Sequence, residues 1–285
     1  MKYKNKSKNK NFIKDNLLKI FNLFIIVLLF TVIIIGCSEH QKLVKSNDYN
    51  KKYDKAIEYY NKGDFYRSQQ LLEDMLLYFR GTEKAEKIHY YYAYCNYRTS
   101  NFILANFYFK NFTKTFPRSQ YAQECLYMSA FCSFLESPES SLDQTSTYQA
   151  MKELQNFANT YPNSDSISKC NKLIDVLRFK LETKYFDQAM LYFKIQDYKA
   201  SVISFKNLMK DFPTTSYKDQ ALLYIIKANY YYAKNSIDSK KADRYNDAIE
   251  AYKEFKAQVA QGSKYYKDAD SFYKNSIKEY TKYKS

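Results

Sequence analysis

The sequence predicts an all-α fold of paired helices, and three observations lead to it. The chain of 285 residues has only 4 glycines and 4 prolines, too few for the tight turns of a many-stranded β-sandwich or barrel. Its 32 tyrosines and 21 phenylalanines can bury a sizeable core, which argues against disorder. Three prolines, Pro117, Pro162 and Pro213, each follow an aromatic residue at the end of an amphipathic stretch, where a helix is expected to stop.

The first 36 residues have the organisation of an export signal. Seven lysines occur among residues 1–19, and a run from Ile20 to Ile35 is apolar except for Asn22 and Thr31. This run is shorter than the roughly 20 residues of a spanning helix and is close to a signal h-region in length. Gly36-Cys37 then resembles the end of a bacterial lipobox, which implies cleavage before Cys37 and a lipid on its sulfur. The alternative is an uncleaved anchor with an incidental cysteine.

Ser38, and not Asp, follows the cysteine, which for a lipoprotein is compatible with sorting to the outer membrane. Residues 37–48 are expected to form a lipidated, flexible tether between this anchor and the first helix. Several acyl chains give stable anchoring where a single chain binds only marginally.

The net charge of +15 is partly that of the signal. Residues 1–36 contribute a net +6, so the mature chain from Cys37 would carry +9. No run of five basic residues occurs after Cys37, and acids are mixed among the lysines, so nucleic-acid binding is disfavoured. The remaining basicity is either compositional or steers the protein towards anionic lipid or an acidic partner.

Internal repeats give the fold its finer prediction. Turn signals followed by an aromatic and a small residue occur at Gly63-Asp64-Phe65, Ser100-Asn101-Phe102, Gln196-Asp197-Tyr198 and Asp243-Arg244-Tyr245. Small residues pair across the predicted turns, as close helix packing requires: Ala56 with Ser68, Ala93 with Ala105, Ala130 with Ala150, Ala189 with Ser201, and Ala228 with Ala248. The pattern looks like the tetratricopeptide repeat, a helical hairpin of 34 residues. It predicts a superhelix of about five hairpins.

Two departures from the regular repeat predict further elements. A loop is expected over residues 136–145, and a bridging helix carries Leu173, Leu177 and Leu181 on one face, either continuing into residues 189–194 or packing beside them. Residues from Ser263 onward are expected to form a C-terminal capping helix. The predicted halves are residues 49–165, with three repeats, and residues 166–285, with the bridging helix, two repeats and the cap.

A lipoprotein of this size built from such repeats resembles the BamD family of the β-barrel assembly machinery. The resemblance depends on residues 59–68, on the block Ala93-Tyr94-Cys95-Asn96-Tyr97, on Ser137-Pro138 with Leu142-Asp143-Gln144-Thr145, on residues 154–164, and on residues 173–192. The loop beginning at Ser137 is similar to the variant found in Bacteroidota. The resemblance covers roughly residues 49–260.

The resemblance implies a non-enzymatic scaffold on the outer membrane, anchored by lipid and facing the periplasm. Its implied partners are the barrel-forming subunit with periplasmic repeats, other assembly lipoproteins, and unfolded outer-membrane protein clients. By analogy, the first half would bind clients. The second half would dock on the barrel-forming subunit through roughly residues 185–258, with Lys180 as a candidate contact.

Candidate client-binding residues lie on one predicted exposed face of the first helices of the repeats. Tyrosine offers a large contact area and a hydroxyl group at low entropic cost. Outer-membrane β-proteins end in an aromatic residue with a free carboxylate, which an arginine could bind bidentately. The candidates are Tyr53, Tyr60, Tyr90, Tyr94, Tyr97, Arg98 and Tyr127. The alternative is that these tyrosines fill space between hairpins.

Catalysis and cofactors are not expected. The chain has two histidines, His40 and His89, no Cys-x-x-Cys spacing and no glycine-rich phosphate loop, so we predict no enzyme, no metal and no cofactor. Cys95, Cys125, Cys132 and Cys170 are expected to be buried thiols used as small hydrophobes, although an even cysteine count outside the cytoplasm leaves disulfides open.

Two other functions fit a helical lipoprotein. A nutrient-binding outer-membrane lipoprotein of the SusD type also uses tetratricopeptide helices, but such proteins are usually longer, with large inserts and tryptophan for sugar stacking, and this chain has no tryptophan. A cell-envelope coordinator that binds peptidoglycan-linked partners usually adds a coiled coil, and no sustained heptad run occurs here.

Overall fold

The computed structural model describes residues 39–284 of the chain. Over this range the regular elements are a short helix at residues 39–44 and eleven longer α-helices. The longer helices are α1 (Tyr49–Asn61), α2 (Phe65–Tyr78), α3 (Glu83–Arg98), α4 (Phe102–Thr115), α5 (Ala122–Leu135), α6 (Thr145–Thr160), α7 (Ile167–Lys194), α8 (Tyr198–Asp211), α9 (Lys218–Lys234), α10 (Asp238–Gln258) and α11 (Tyr266–Lys284). The predicted all-α class is confirmed.

The chain divides into two compact units between Cys132 and Ser133, earlier than the division at residues 165 and 166 expected from the sequence. In the first unit, α1 packs on α2, α2 on α3, and α3 on α4. In the second unit, each helix from α6 to α10 packs on the next one, and α11 packs on α9 and α10. Each unit has its own apolar core, built around Leu71 and Phe109 in the first unit and Phe205 and Ile226 in the second.

Three hairpin turns share one backbone geometry. Gly63, Ser100 and Gln196 have φ angles of 78°, 60° and 65°, in the left-handed region that ends a helix. In two of these turns the next residue begins the following helix by capping it: the side chains of Asp64 and Asp197 accept hydrogen bonds from the backbone N–H groups of Arg67 and Ala200. The turn signals at these three places are confirmed.

The fourth turn signal, at Asp243-Arg244-Tyr245, is wrong. Helix α10 begins at Asp238 and passes through these residues without interruption. Arg244 instead lies over the ring of Tyr232, 4.1 Å from its centroid, and donates a hydrogen bond to Ser236 Oγ. These contacts hold Arg244 on the side of a helix, where polar residues are as acceptable as in a turn.

The small-residue pairs mark where two helices approach most closely. Ala56, Ser68, Ala189 and Ser201 are completely buried. Ser68 Oγ donates to Ala56 O at 2.9 Å, and Ser201 Oγ donates to Ala189 O at 3.0 Å. Each unit thus has the same hydrogen bond between a serine and the alanine twelve residues before it. Serine at these positions therefore fits the same close contact as alanine and adds a hydrogen bond across it.

The aromatic–proline steps end helices, as predicted. Phe116, Tyr161 and Phe212 each donate the last helical hydrogen bond, to the carbonyls of Phe112, Phe157 and Leu208 respectively, and proline follows at once. Two residues after each proline a hydroxyl group accepts a backbone hydrogen bond within the turn that precedes the next helix; these residues are Ser119, Ser164 and Thr215.

The bridging helix continues into the fourth repeat without a break, forming the 28-residue helix α7. Leu177 and Leu181 of its predicted stripe are buried, and Leu173 is half-buried. The capping helix is confirmed as α11.

The predicted tether contains ordered structure. Residues 39–44 are helical, Leu43 belongs to the first core, and His40 is buried against Tyr59 and Gln70. The expectation of an unstructured segment is therefore wrong for these residues, because His40 and Leu43, which lie on one face of this helix, find partners on the first hairpin.

Candidate functional site

The candidate tyrosines divide into a buried group and an accessible group. Tyr94 is only 9% exposed, so the predicted exposed face does not include it. Its ring lies edge-on to Phe109 at 5.0 Å, and burial raises the pKa of its hydroxyl well above the usual range. Tyr90 is half-buried at 4.4 Å from Tyr121, and burial likewise raises its pKa. Both rings thus pack between helices, and a role of Tyr90 and Tyr94 in client binding stays a prediction.

Glu124, which sequence reasoning did not single out, joins these two tyrosines. It lies in the first turn of α5, and the hydroxyl of Tyr90 donates to its carboxylate at 3.2 Å. Tyr94 donates to the same carboxylate. The two hydroxyl groups are therefore already used within the fold. No sequence signal could have found this contact, because α5 belongs to the next repeat and only tertiary packing brings the carboxylate to α3.

A second group remains accessible at one end of the first unit. The guanidinium of Arg98 is exposed at the last residue of α3, 5.7 Å from the ring of Phe65 and 6.0 Å from that of Tyr97. Tyr60 is half-buried, 5.3 Å from Phe65. We call Tyr60, Phe65, Tyr97 and Arg98 the Arg98 patch.

The electrostatics of the Arg98 patch favour an anion. Burial raises the pKa of Tyr60 to about 12, with the charge of Arg98 opposing the increase, so the hydroxyl stays protonated at neutral pH and can donate. Within residues 39–284, Arg98 has cation–π contacts and forms no ion pair with a carboxylate. A carboxylate beside an aromatic ring would find here a guanidinium, a hydroxyl and two flat apolar faces.

The remaining candidates lie apart from this patch. Tyr53 is half-buried in the first core, and burial raises its pKa. Tyr127 stacks on Phe131 with ring centroids 6.1 Å apart. The structure does not bring either ring into contact with Arg98.

Lys180 in the second unit is engaged with its own chain. Its ammonium donates to Ser137 Oγ at 2.6 Å and to Ser137 O at 3.1 Å, and partial burial lowers its pKa. One turn later Lys184 donates to Leu142 O at 2.6 Å. The two lysines of α7 thus hold the loop that precedes α6. A contact of Lys180 with a partner stays a prediction.

The cysteines in the described part of the chain lie in the cores. Cys95, Cys125 and Cys170 are buried free thiols, and burial raises the pKa of Cys95 to about 11. Cys132 is also completely buried. Cys37, the predicted lipid site, and the signal peptide at residues 1–36 lie outside the described residues.

Two further properties of residues 39–284 bear on other functions. No helix in this range is both long and apolar enough to cross a membrane. Within the same range, no group of three or more His, Cys, Asp or Glu side chains is placed to hold a metal ion.

Among solved structures, the chain is similar to two tetratricopeptide proteins. The TPR2AB domain of yeast Sti1, in a complex with an Hsp90 peptide, has a TM-score of 0.40 at 12% identity, with 83% of this chain and 98% of that one covered. The TPR domain of P58(IPK) has a TM-score of 0.39 at 13% identity, with 85% and 68% covered.

A curated relative is the outer membrane protein assembly factor BamD of Caulobacter vibrioides. It is 27% identical over 117 residues, which cover 41% of this chain and 38% of the relative. The chain thus matches about two fifths of that relative's length.

The sequence model of the YfiO family, described as outer membrane lipoprotein, matches residues 45–245. The match includes the first hairpin, the Arg98 patch, the lysine-held loop and all of α7. Because it spans well over half of the chain, the chain belongs to the YfiO family of outer membrane lipoproteins.

Proposed function

We propose that this protein is a scaffold of the machinery that assembles β-barrel proteins in the outer membrane. The observation that carries the proposal is the family match over residues 45–245, together with a relative named as an outer membrane protein assembly factor. An all-helical chain of packed hairpins with buried thiols suits binding other proteins better than catalysis.

The anchor would be a lipid on Cys37. The apolar run that ends at Gly36-Cys37 supports this, as does membership of a lipoprotein family. The protein would then be held on the outer membrane and face the periplasm, where the barrel-forming subunit, other assembly lipoproteins and unfolded clients are found. The second half, including residues 185–258, would dock on the barrel-forming subunit.

Co-purification from detergent-solubilised membranes tests the proposal. A tagged chain should retain a large barrel protein with repeated periplasmic domains. A chain with Cys37→Ala in the intact precursor serves as the control for anchoring. Retention of a TonB-dependent porin instead would favour the SusD-type function and contradict the assembly function.

The Arg98 patch is our proposed site for the C-terminal carboxylate of a client. A bidentate hydrogen bond to a charged group is worth about 1.5–3 kcal/mol, so Arg98→Ala should weaken binding of a peptide that ends in phenylalanine about tenfold or more. Arg118→Ala is the matched control, because Arg118 is an exposed arginine of the same unit. The same peptide with an amidated C-terminus should bind weakly to both the native chain and Arg98→Ala.

Equal affinity of the free-acid peptide for the native chain and Arg98→Ala, measured by calorimetry, would contradict this site. The assembly function itself would still be judged by co-purification.

A further inference from the structure

The short helix at residues 39–44 is packed onto the first hairpin. His40 is 5% exposed and Leu43 is 9% exposed. His40 Nε2 lies 2.8 Å from Gln70 Oε1, and its ring is edge-on to Tyr59 at 5.5 Å. Leu43 joins the same core as Leu71. One polar contact and two buried side chains thus fix this segment to α1 and α2.

These contacts also fix the direction of the segment. His40 touches Tyr59, near the end of α1, whereas Asp48 caps the start of α1. The chain therefore runs back along α1 before turning into it. Glu39 lies beside the second half of α1, where its charge acts on Lys55, on the side of the hairpin towards the α1–α2 turn at residues 61–65. The opposite end is marked by the stacked rings of Tyr49 and Tyr78, 3.7 Å apart.

Little chain separates this point from the predicted lipid. Only Ser38 lies between Cys37 and Glu39, and two residues span at most about 7 Å. Helix α1 has 13 residues and is about 20 Å long. In a hairpin standing upright on a bilayer, the two ends would therefore lie at clearly different distances from the lipid headgroups.

The side chains around the α1–α2 turn suit a membrane surface. Tyr66 is 65% exposed, and the side chain of Lys62 is 67% exposed. Tyrosine, lysine and arginine place apolar stems among lipid headgroups and keep their polar ends in water. Lys62 pairs with Glu58 at 2.6 Å, and Arg67 pairs with Asp64 at 3.4 Å. Since these acids offset the cations, the position would depend on the short connection to the lipid more than on charge.

We propose that the docked helix at residues 39–44 holds the α1–α2 turn against the phospholipid headgroups of the membrane that carries the Cys37 lipid. The inference rests on the proposed lipidation of Cys37. The α1–α2 end of the first hairpin then faces the bilayer, and its Tyr49–Tyr78 end points away from the bilayer.

The test compares two fluorescent labels on the full mature lipoprotein in vesicles of phosphatidylethanolamine and phosphatidylglycerol. Lys62→Cys places a label at the α1–α2 turn, and Leu77→Cys, at an 82% exposed position, places one near the other end. Energy transfer to an acceptor on the lipid headgroups should be severalfold more efficient from residue 62. Raising the salt concentration should change this little.

A second variant inserts twelve Gly and Ser residues between Ser38 and Glu39. It leaves the fold untouched and should remove the difference between the two labels, because such a linker reaches roughly 20 Å. Equal transfer from both labels in the native chain, or a difference that survives the insertion, would overturn the inference.

Mass spectrometry of the Cys37 peptide and flotation with vesicles separate the two proposals. A peptide without lipid would overturn the proposed anchor and this inference with it. A lipidated, floating protein with equal transfer would overturn this inference alone.

Discussion

At the scale of single residues, the repeat depends on a contact that alanine and serine both satisfy. Ser68 and Ser201 each donate a hydrogen bond to an alanine carbonyl across the hairpin, at 2.9 and 3.0 Å. The small pairs at these positions could be predicted from spacing alone. The bond itself could not, because it depends on the rotation of two packed helices.

Ser68→Ala should destabilise the protein only slightly, by about 0.5–1 kcal/mol, because the acceptor carbonyl lies inside a helix. Ser68→Val should cost about 1–3 kcal/mol, because the added methyl groups must fit a completely buried site. Urea unfolding checks both, with the exposed helical Ser271→Ala as control. A larger loss for alanine than for valine would contradict the packing interpretation.

The bond between Tyr94 and Glu124 predicts a pH dependence. Burial, followed by the hydrogen bond to Glu124, raises the pKa of Tyr94 in the folded state above its unfolded value of about 10. The contribution of Tyr94 to stability is therefore fully present below pH 10. It falls above pH 10, where the unfolded chain loses a proton that the folded chain retains.

Tyr94→Phe should lower the stability at pH 7 by about 1 kcal/mol. It should also make the decline above pH 10 shallower. Tyr66→Phe, at a 65% exposed ring, is the control for the loss of a tyrosine hydroxyl. Denaturant melts between pH 7 and 11 measure this, and identical profiles for Tyr94→Phe and the native chain would refute the role of this bond.

At the scale of elements, helix α7 organises the second unit. Lys180 and Lys184 hold the loop before α6 through Ser137 and Leu142. Within the loop, Gln144 Nε2 donates to Glu139 O at 2.7 Å, and Gln144 accepts from Thr147. A segment that the sequence indicated only as a loop is therefore fixed from two sides.

Lys180→Ala should loosen this loop, because it removes two hydrogen bonds from Ser137. Hydrogen exchange of residues 137–144 should become faster, by about tenfold if the opening free energy falls by 1.4 kcal/mol. Lys172→Ala, at an exposed position on the same helix, should change nothing. Unchanged exchange in Lys180→Ala would show that the lysine does not support the loop.

Elements also show where sequence reasoning reached its limit. Turns at Gly63, Ser100 and Gln196 and helix ends before Pro117, Pro162 and Pro213 follow from local chemistry, and the structure confirms them. The helix at residues 39–44 does not follow from local chemistry, because it is too short to be stable alone and depends on contacts with α1 and α2. The prediction that Tyr94 is exposed was wrong for a similar reason, because its partner Glu124 comes from a different repeat.

At the scale of the whole molecule, the proposals converge on one end of the first unit. The Arg98 patch includes Tyr60 and Phe65, which flank the α1–α2 turn. The docked helix would place this turn at the membrane surface. A client carboxylate bound at Arg98 would then be held close to the bilayer into which the client must insert.

If the chain serves the assembly of outer-membrane β-barrels, as proposed, its loss should deprive the outer membrane of folded barrel proteins. The decisive experiment is depletion of the chain in its own organism, followed by quantification of folded, heat-modifiable barrel proteins in the outer membrane. We expect the amount of folded barrel proteins to fall while unfolded clients accumulate in the periplasm, and re-expression of the native chain to restore the folded barrel proteins. An unchanged amount of folded barrel proteins in fully depleted cells would contradict the claim.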